Sequence, residues 1–137
     1  MSTDAATERD ELNALSKNIV GSALRVHSEL GSGLLESAYE SCLGFQLKDL
    51  DYKVERQVPV PVLYRGRFLE CGYRIDLLVE DRIIIEIKAV ERLHRVHFSQ
   101  LLSQLRLKQL KLGLLINFNV SSLRSGIHRV VSGFPDQ

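Results

Sequence analysis

Three charged residues interrupt two aliphatic runs in the middle of the sequence. Asp76 lies in the first run and Glu86 and Lys88 lie in the second, with the acidic pair Glu80-Asp81 between the runs. Because nearly all the flanking residues are aliphatic, we expect both faces of these segments to be covered, where an unpaired charge is costly. Clustered carboxylates in such surroundings favour the binding of a cation.

The two runs predict a pair of strands, and the register of that pair decides whether the charged side chains meet. Glu86 and Lys88 share one face because strand side chains alternate. With a two-residue loop Asp76 would lie opposite Ile85, on the other face, whereas a loop over residues 80–82 would place it opposite Glu86. We predict the three-residue loop, although its last residue, an arginine, is poorly suited to a left-handed loop position.

Two helices are predicted before these strands. Apolar residues step by three and four over residues 12–30, and a second helix follows over residues 34–50. Residues 1–11 lack this periodicity and are expected to be a disordered tail. Glu36 and Glu40 share one face near the start of the second helix, where they are either solvent-exposed helix acids or part of a site.

A meander of three strands comes next, over residues 54–64, 68–79 and 83–90. Pro59 and Pro61 lack amide donors, so the first strand should lie at an edge or be only partly paired.

The last part of the chain predicts a helix over residues 94–110 and a buried strand over residues 114–118. A right-handed crossover would make this strand parallel to residues 83–89. Residues 127–131 would add an edge strand, and residues 132–137 would form a loose tail. The order α-α-β-β-β-α-β-β therefore predicts a single α/β domain, with a mixed sheet flanked by helices.

Composition places this domain among ordinary globular proteins. Its 137 residues are 45% hydrophobic and 26% charged, which is enough for a core without disulfides. No apolar run reaches the length of a membrane span, and the polar N-terminus does not resemble a signal peptide, which favours the cytoplasm. Cys42 and Cys71 lack metal-ligand spacing and are predicted to be reduced.

The net charge of +1 is unevenly distributed. Residues 1–81 carry nine Lys and Arg against fourteen Asp and Glu, whereas residues 82–137 carry nine against three. The basic second part would suit a surface that faces phosphates. An equally simple interpretation is a solvated face that balances the acidic helices.

Two motifs, in this order of elements, resemble a known group of enzymes. Asp76 followed by Glu86-Ile87-Lys88 resembles the motif of the PD-(D/E)XK nuclease superfamily. Residues 33–40, Gly-Leu-Leu-Glu-Ser-Ala-Tyr-Glu, resemble more closely the GxxExxY family of small bacterial proteins within it. Segments 26–31 and 112–118 are also similar to that family, and the resemblance covers residues 12–131.

This resemblance implies a restriction-endonuclease-like fold with a three-layer core and a metal-dependent nuclease activity. The cofactor would be Mg²⁺ or Mn²⁺, and the substrate would be nucleic acid, DNA more than RNA. Because no separate recognition domain is visible in the sequence, specificity would come from a homodimer or from a protein partner.

The resemblance also implies a role for each site residue. The metal ligands would be Asp76, Glu86, the backbone carbonyl of Ile87 and a carboxylate of the second helix, Glu36. Lys88 would orient or activate the attacking water and meet the phosphate.

Further residues are carried over as supporting groups. Gln100, on the third helix, would support the site. The accessory candidates are Glu40 as an alternate to Glu36, His97 beside the metal, and Gln104, which stands where many relatives carry a Tyr. The candidate phosphate contacts are Arg92, Arg95, Lys108 and Lys111.

Three other interpretations remain open. In the first, Glu86 and Lys88 form an exposed strand-surface ion pair, with Asp76 as an acid near a turn. The chain could also be a catalytically silent module that kept the fold and binds nucleic acid or a protein. An accessory enzyme with another substrate at the same carboxylates is the third.

Overall fold

Three helices cover the two faces of a five-stranded sheet in the computed structural model, which describes residues 2–135 apart from the side chains of Ser2 and Thr3. The helices are α1 (Ser2–Leu30), α2 (Glu36–Asp49) and α3 (Arg95–Lys108). The strands are β1 (Val54–Pro59), β2 (Val62–Tyr64), β3 (Arg67–Leu69), β4 (Arg74–Val79), β5 (Ile83–Lys88), β6 (Leu112–Asn117) and β7 (Ile127–Val131).

The main sheet has the strand order β1-β4-β5-β6-β7, in which only β5 and β6 are parallel. This confirms the predicted mixed sheet and the parallel crossover through α3. The edge strand β7 also forms over the residues predicted for it.

Two apolar clusters, one on each face, hold the layers together. The first joins α1 and α2 to one face of the sheet, with Ile83, Ile85 and Ile87 at its centre. The second joins α3 to the opposite face through Ile84 and Leu101. The predicted alternation of β5 is therefore confirmed, and the fold has the three layers expected of a restriction-endonuclease-like domain.

The meander is more divided than the sequence indicated. Two of its three predicted strands are each split, because β2 and β3 leave the main sheet and form a hairpin of their own, so that β1 pairs directly with β4. Pro61 and Gly72 lie at the two breaks, where Pro61 lacks an amide donor and Gly72 has a φ of 82°.

Both ends of the chain are more ordered than predicted. Helix α1 begins at Ser2, within the expected tail, and ion pairs from Glu8 to Lys111 and from Glu11 to Arg82 hold this extension. Apolar periodicity does not register such contacts. Phe134, in the other expected tail, packs against the first cluster, while Met1 and residues 136–137 lie outside the described residues.

The β4–β5 register is the predicted one. Leu77 pairs with Ile85 and Val79 with Ile83, which leaves a three-residue loop. The left-handed positions of this loop are Glu80 and Asp81, each with a φ of 55°, and the following arginine is not among them. Among residues 2–135, no helix combines the length and apolar character that a membrane span requires.

Candidate active site

Asp76 lies where the regular backbone pairing between β4 and β5 ends and hydrogen bonds to side chains begin. Beyond the Leu77–Ile85 pair, the amide of Ile87 donates to Asp76 Oδ2 at 2.8 Å. The amide of Asp76 donates in turn to Glu86 Oε1 at 3.3 Å. Hydrogen bonds from backbone amides therefore hold both predicted carboxylates at the point where the pairing of β4 and β5 ends.

The face that β4 presents also changes at this point. Leu77 and Val79 pack in the cluster beneath α1 and α2, and strict alternation would put Ile75 with them. Ile75 instead packs with Leu78 in the cluster beneath α3. The change of face at Asp76 leaves its carboxylate at the boundary between the two layers, within reach of α2.

A buried carboxylate of α2 approaches Asp76 through a residue that the sequence did not indicate. Glu40 is only 7% exposed, and its Oε1 accepts a hydrogen bond of 2.8 Å from Gln57 Nε2. The same Nε2 donates to Asp76 Oδ1 at 3.3 Å. Arg56 Nε donates to the other Glu40 oxygen at 3.1 Å, so Glu40 is both paired and tied to Asp76.

Gln57 has an unusual backbone. The flanking pairs of β1 and β4 are Arg56 with Leu77 and Val58 with Ile75, so Gln57 stands opposite Asp76. Its φ of 53° is left-handed, a conformation that non-glycine residues rarely adopt in a strand. No pattern of hydrophobicity could have revealed this, because the conformation depends on the partners that the side chain finds in α2 and β4.

Glu36, the first residue of α2, reaches the end of β5. Its Oε2 accepts a hydrogen bond of 3.1 Å from the amide of Ala89, next to Lys88. The preceding turn is fixed by Tyr39, whose hydroxyl donates to the Gly31 carbonyl at 2.6 Å and whose ring stacks on Phe118 with centroids 4.4 Å apart. The turn therefore sets where Glu36 begins the helix.

Electrostatics distinguish the central carboxylates from ordinary surface acids. Burial, followed by the charges of Asp76 and Glu40, raises the pKa of Glu86 to about 8. Burial also raises the pKa of Asp76, against the hydrogen bond from the Ile87 amide. Near neutral pH this pair must share a proton or hold a cation.

An open cleft of about 740 Å³ lies beside Asp76. The carboxylates of Glu36, Glu40 and Asp76 line it together with Gln57 and Arg56 from β1, whereas Glu86 is not part of its lining. The complete lining is Leu34, Leu35, Glu36, Ser37, Glu40, Arg56, Gln57, Asp76 and Ala89.

A family model that describes the PD-(D/E)XK nuclease superfamily matches residues 13–130. The chain belongs to the PD-(D/E)XK nuclease superfamily. Neither the search of curated proteins nor the search of solved structures gave a match. Membership in this nuclease superfamily agrees with the order of elements and with the positions of Asp76, Glu86 and Lys88 on the two central strands.

The donor set fits the divalent cation that the superfamily resemblance implies. Within residues 2–135, no three His, Cys, Asp or Glu side chains are grouped closely enough for a closed metal site. Mg²⁺ does not need one, because it is usually held by one or two carboxylates with waters and substrate oxygens. Asp76 and Glu86, half-buried and mutually repelling, provide that pair.

The structure places the glutamines predicted to support the nuclease site around a second cavity. Gln100 and Gln104 line a space of about 440 Å³ against Tyr73, next to β2. Gln104 Nε2 donates to the Arg74 carbonyl at 3.3 Å, two residues before Asp76. These side chains therefore lie alongside the carboxylates, on the α3 side, and do not border the acidic cleft.

His97 lies near the end of β5. Its pKa is lowered by burial and by the positive charge of Lys88, while Glu36 acts in the opposite direction. Arg92 and His97 border a small cleft just beyond β5. His97 therefore lies close to Lys88 and Glu36, and its role beside a metal stays a prediction.

Two of the predicted phosphate contacts are not brought to the cleft. Lys111 Nζ is ion-paired with Glu8 at 2.8 Å, and the charge of Lys108 acts on Asp81 in the β4–β5 loop. That loop is at the other end of β4 from Asp76. The excess of Lys and Arg in residues 82–137 predicted a basic surface. It could not predict at which end of the sheet each basic side chain lies.

Proposed function

We propose that the protein is a Mg²⁺- or Mn²⁺-dependent nuclease that hydrolyses phosphodiester bonds in nucleic acid, with DNA as the principal substrate. The observation that carries this proposal is the half-buried pair of Asp76 and Glu86, in which the Asp76 amide donates to the Glu86 carboxylate and the pKa of each carboxyl is raised. Such shifts concentrate at functional sites, because a purely structural pair would normally include its own cation.

Each residue has a defined part in the proposed hydrolysis. When bound, a divalent cation neutralises the charge that grows on the phosphate and lowers the pKa of the attacking water. Asp76 and Glu86 hold it, with the Ile87 carbonyl as a further ligand. Lys88 supplies an ammonium that orients the water and contacts the phosphate.

The second helix adds two carboxylates with different parts. Glu36 is the proposed outer ligand, since its contact with the Ala89 amide holds it beside Lys88. Glu40 is more buried, and through Gln57 it sets the position of Asp76. Arg92 and Arg95, at the same end of β5 and α3, are the proposed phosphate contacts.

We also assign the chain to the GxxExxY branch of the superfamily. Each of the three defining residues of that motif has a structural role in this protein. Gly33 has a φ of 98°, Glu36 reaches β5, and Tyr39 is fully buried and closes the turn.

A homodimer or a protein partner is the proposed source of specificity. Phe45 is 73% exposed on α2 and lies beside the exposed Leu30 in an open groove between α1 and α2. Large exposed apolar side chains of this kind mark association surfaces.

The decisive experiment compares cleavage of plasmid, DNA oligonucleotides and RNA oligonucleotides with Mg²⁺, Mn²⁺ or EDTA. Asp76→Asn and Lys88→Met should each lower the metal-dependent rate by at least about 10²-fold, because each removes charge stabilisation from the transition state. The matched control is Lys111→Met, a lysine outside the cleft. Equal residual rates in all variants would identify a contaminant.

Calorimetry with Mn²⁺ separates the nuclease from a silent binding module. The wild type should bind Mn²⁺ and Asp76→Asn should not. Absence of binding by the wild type, both alone and with nucleic acid, would contradict the nuclease proposal and favour the silent module.

A further inference from the structure

The β2–β3 hairpin stands apart from the sheet that carries the site. Its strands pair only with each other, and the two-residue turn Arg65-Gly66 has positive φ at both positions, as in a type I′ turn. A two-stranded hairpin is marginally stable on its own in water. Its surface composition should therefore indicate what it contacts.

That surface combines aromatic and aliphatic side chains with arginine. Leu63 and Phe68 are cross-strand partners on one face, and Phe68 is 68% exposed. Tyr64 and Arg67 are partners on the other face, and Arg65 is at the tip. Residues 62–69 contain two arginines and no acid.

The hairpin is attached directly beside the acidic cleft. It is inserted between Pro59 and Arg74, which are the last paired residues of β1 and β4. Gln57 and Asp76 are each two residues further along these strands, a distance of about 7 Å. A chain held along the hairpin would therefore be directed towards the carboxylates.

The second cavity lies between the base of the hairpin and α3. Val62 of β2 and Tyr73 form one side, and Gln100 and Gln104 of α3 form the other. Gln104 is 5% exposed, and its buried Oε1 has no hydrogen-bond partner among the described residues. The lining of this cavity is mostly apolar, with the Tyr73 ring on one side and the Gln100 side chain on the other, which suits a flat, apolar ring that carries polar groups at its edge.

We propose that the hairpin binds an unpaired stretch of nucleic acid, with a base in the cavity between Tyr73 and Gln104. This inference rests on the proposed function and specifies its substrate as single-stranded or locally unpaired. Aromatic side chains stack on base faces that are accessible only where the strand is unpaired, and arginines contact the adjacent phosphates. The absence of acids from residues 62–69 favours a polyanion over an acidic or apolar protein partner.

The test is binding without cleavage, in EDTA. Fluorescence anisotropy is measured with a labelled oligothymidylate, the matching oligouridylate and a blunt DNA duplex. Tyr64 is the aromatic residue to change, because it is exposed and shares a hairpin face with Val62, which lines the cavity. Tyr64→Ala should weaken single-strand binding about tenfold and Tyr64→Phe should restore it, since one stacked base is lost and regained. The control is Val131→Ala, an exposed apolar residue on the opposite edge strand β7, which should bind single strands like the wild type.

The arginines and the cavity have separate readouts. Arg65→Ala combined with Arg67→Ala should reduce the slope of log K against log salt by about 1.4, because two phosphate contacts are lost. Gln104→Leu should alter the preference between oligothymidylate and oligodeoxyadenylate without changing that slope. Circular dichroism and melting temperature confirm that each variant is folded.

Equal binding by Tyr64→Ala and the wild type would overturn the inference. It would also be overturned if Tyr64→Ala lost self-association in sedimentation while it kept its affinity for single strands, because the hairpin would then be a protein contact. If the wild type binds single strands through the hairpin but never cleaves, the nuclease proposal fails and the inference stands. If it cleaves while hairpin variants bind normally, only the inference fails.

Discussion

The two ends of the β4–β5 strand pair carry the same types of residue in opposite conditions. At the loop end, Lys53 pairs with Asp81 at 2.8 Å and Arg82 with Glu11 at 3.0 Å, all of them largely in contact with solvent. At the other end, Asp76 and Glu86 are half-buried beside each other, and their hydrogen bonds come from backbone and amide groups. Pairing and burial, more than the presence of charge, separate the end held by ion pairs from the end that carries the proposed site.

The largest expected effect comes from neutralising one carboxylate of the Asp76–Glu86 pair. Glu86→Gln keeps the shape of the side chain and removes one ligand charge. We expect at least a 10²-fold loss of metal-dependent cleavage, together with loss of Mn²⁺ binding in calorimetry. If Glu86→Gln cleaved at the wild-type rate, the buried pair would not be the catalytic centre.

The free energy of unfolding should depend on pH because of the same pair of carboxyl groups. The folded-state pKa of Glu86, about 8, lies above its ordinary value of 4.5, so the folded state holds a proton that the unfolded state releases. Without metal, the free energy of unfolding should therefore fall as pH rises from about 4.5 to about 8.

Urea unfolding at the two ends of that pH window measures this change. Glu86→Gln should flatten the profile in EDTA, and Mg²⁺ should raise the stability of the wild type at the alkaline end. A wild-type profile as flat as that of the variant would mean that the carboxylates are less buried than the structure indicates.

A smaller effect is expected at Gln57, where backbone and side chain can be separated. Gln57→Leu removes the hydrogen bonds to Glu40 and Asp76 and keeps the left-handed strain, so it should cost about 1–2 kcal/mol. Gln57→Gly loses the same bonds and relieves the strain, so it should cost less. Equal costs in urea unfolding would show that the φ of 53° carries no strain.

The smallest effect is expected at the loop end. Lys111→Met breaks the pair with Glu8 but leaves both groups at the surface, so it should cost at most about 1 kcal/mol. It should leave metal and nucleic-acid binding unchanged. A loss of nucleic-acid affinity would restore Lys111 as a phosphate contact and would weaken the contrast between the two ends.

The same contrast explains what the sequence could and could not predict. The register of Asp76 and Glu86 was predictable because alternation and loop length are local properties of the chain. The position of Lys111 was not, because composition does not specify location. The role of Gln57 could not be predicted either, because its conformation depends on Glu40 and Asp76, which are distant in sequence.

The divided meander shows a different limit. A Pro at position 61 predicted reduced pairing but could not indicate that the chain would leave the sheet and return at Arg74. The helical start of α1 depends on ion pairs such as Glu8 with Lys111, which apolar periodicity does not report.

The three-residue loop at Glu80–Arg82 gives the protein an unusual kind of vulnerability. Its side chains form surface ion pairs whose individual loss is tolerable, but its length must stay odd to keep Asp76 opposite Glu86. Deleting one residue there would exchange the partner of Asp76 from Glu86 to Ile85, while every strand could still form. The deletion of one residue at this loop would therefore separate the two carboxylates of the proposed active site at the other end of the strand pair.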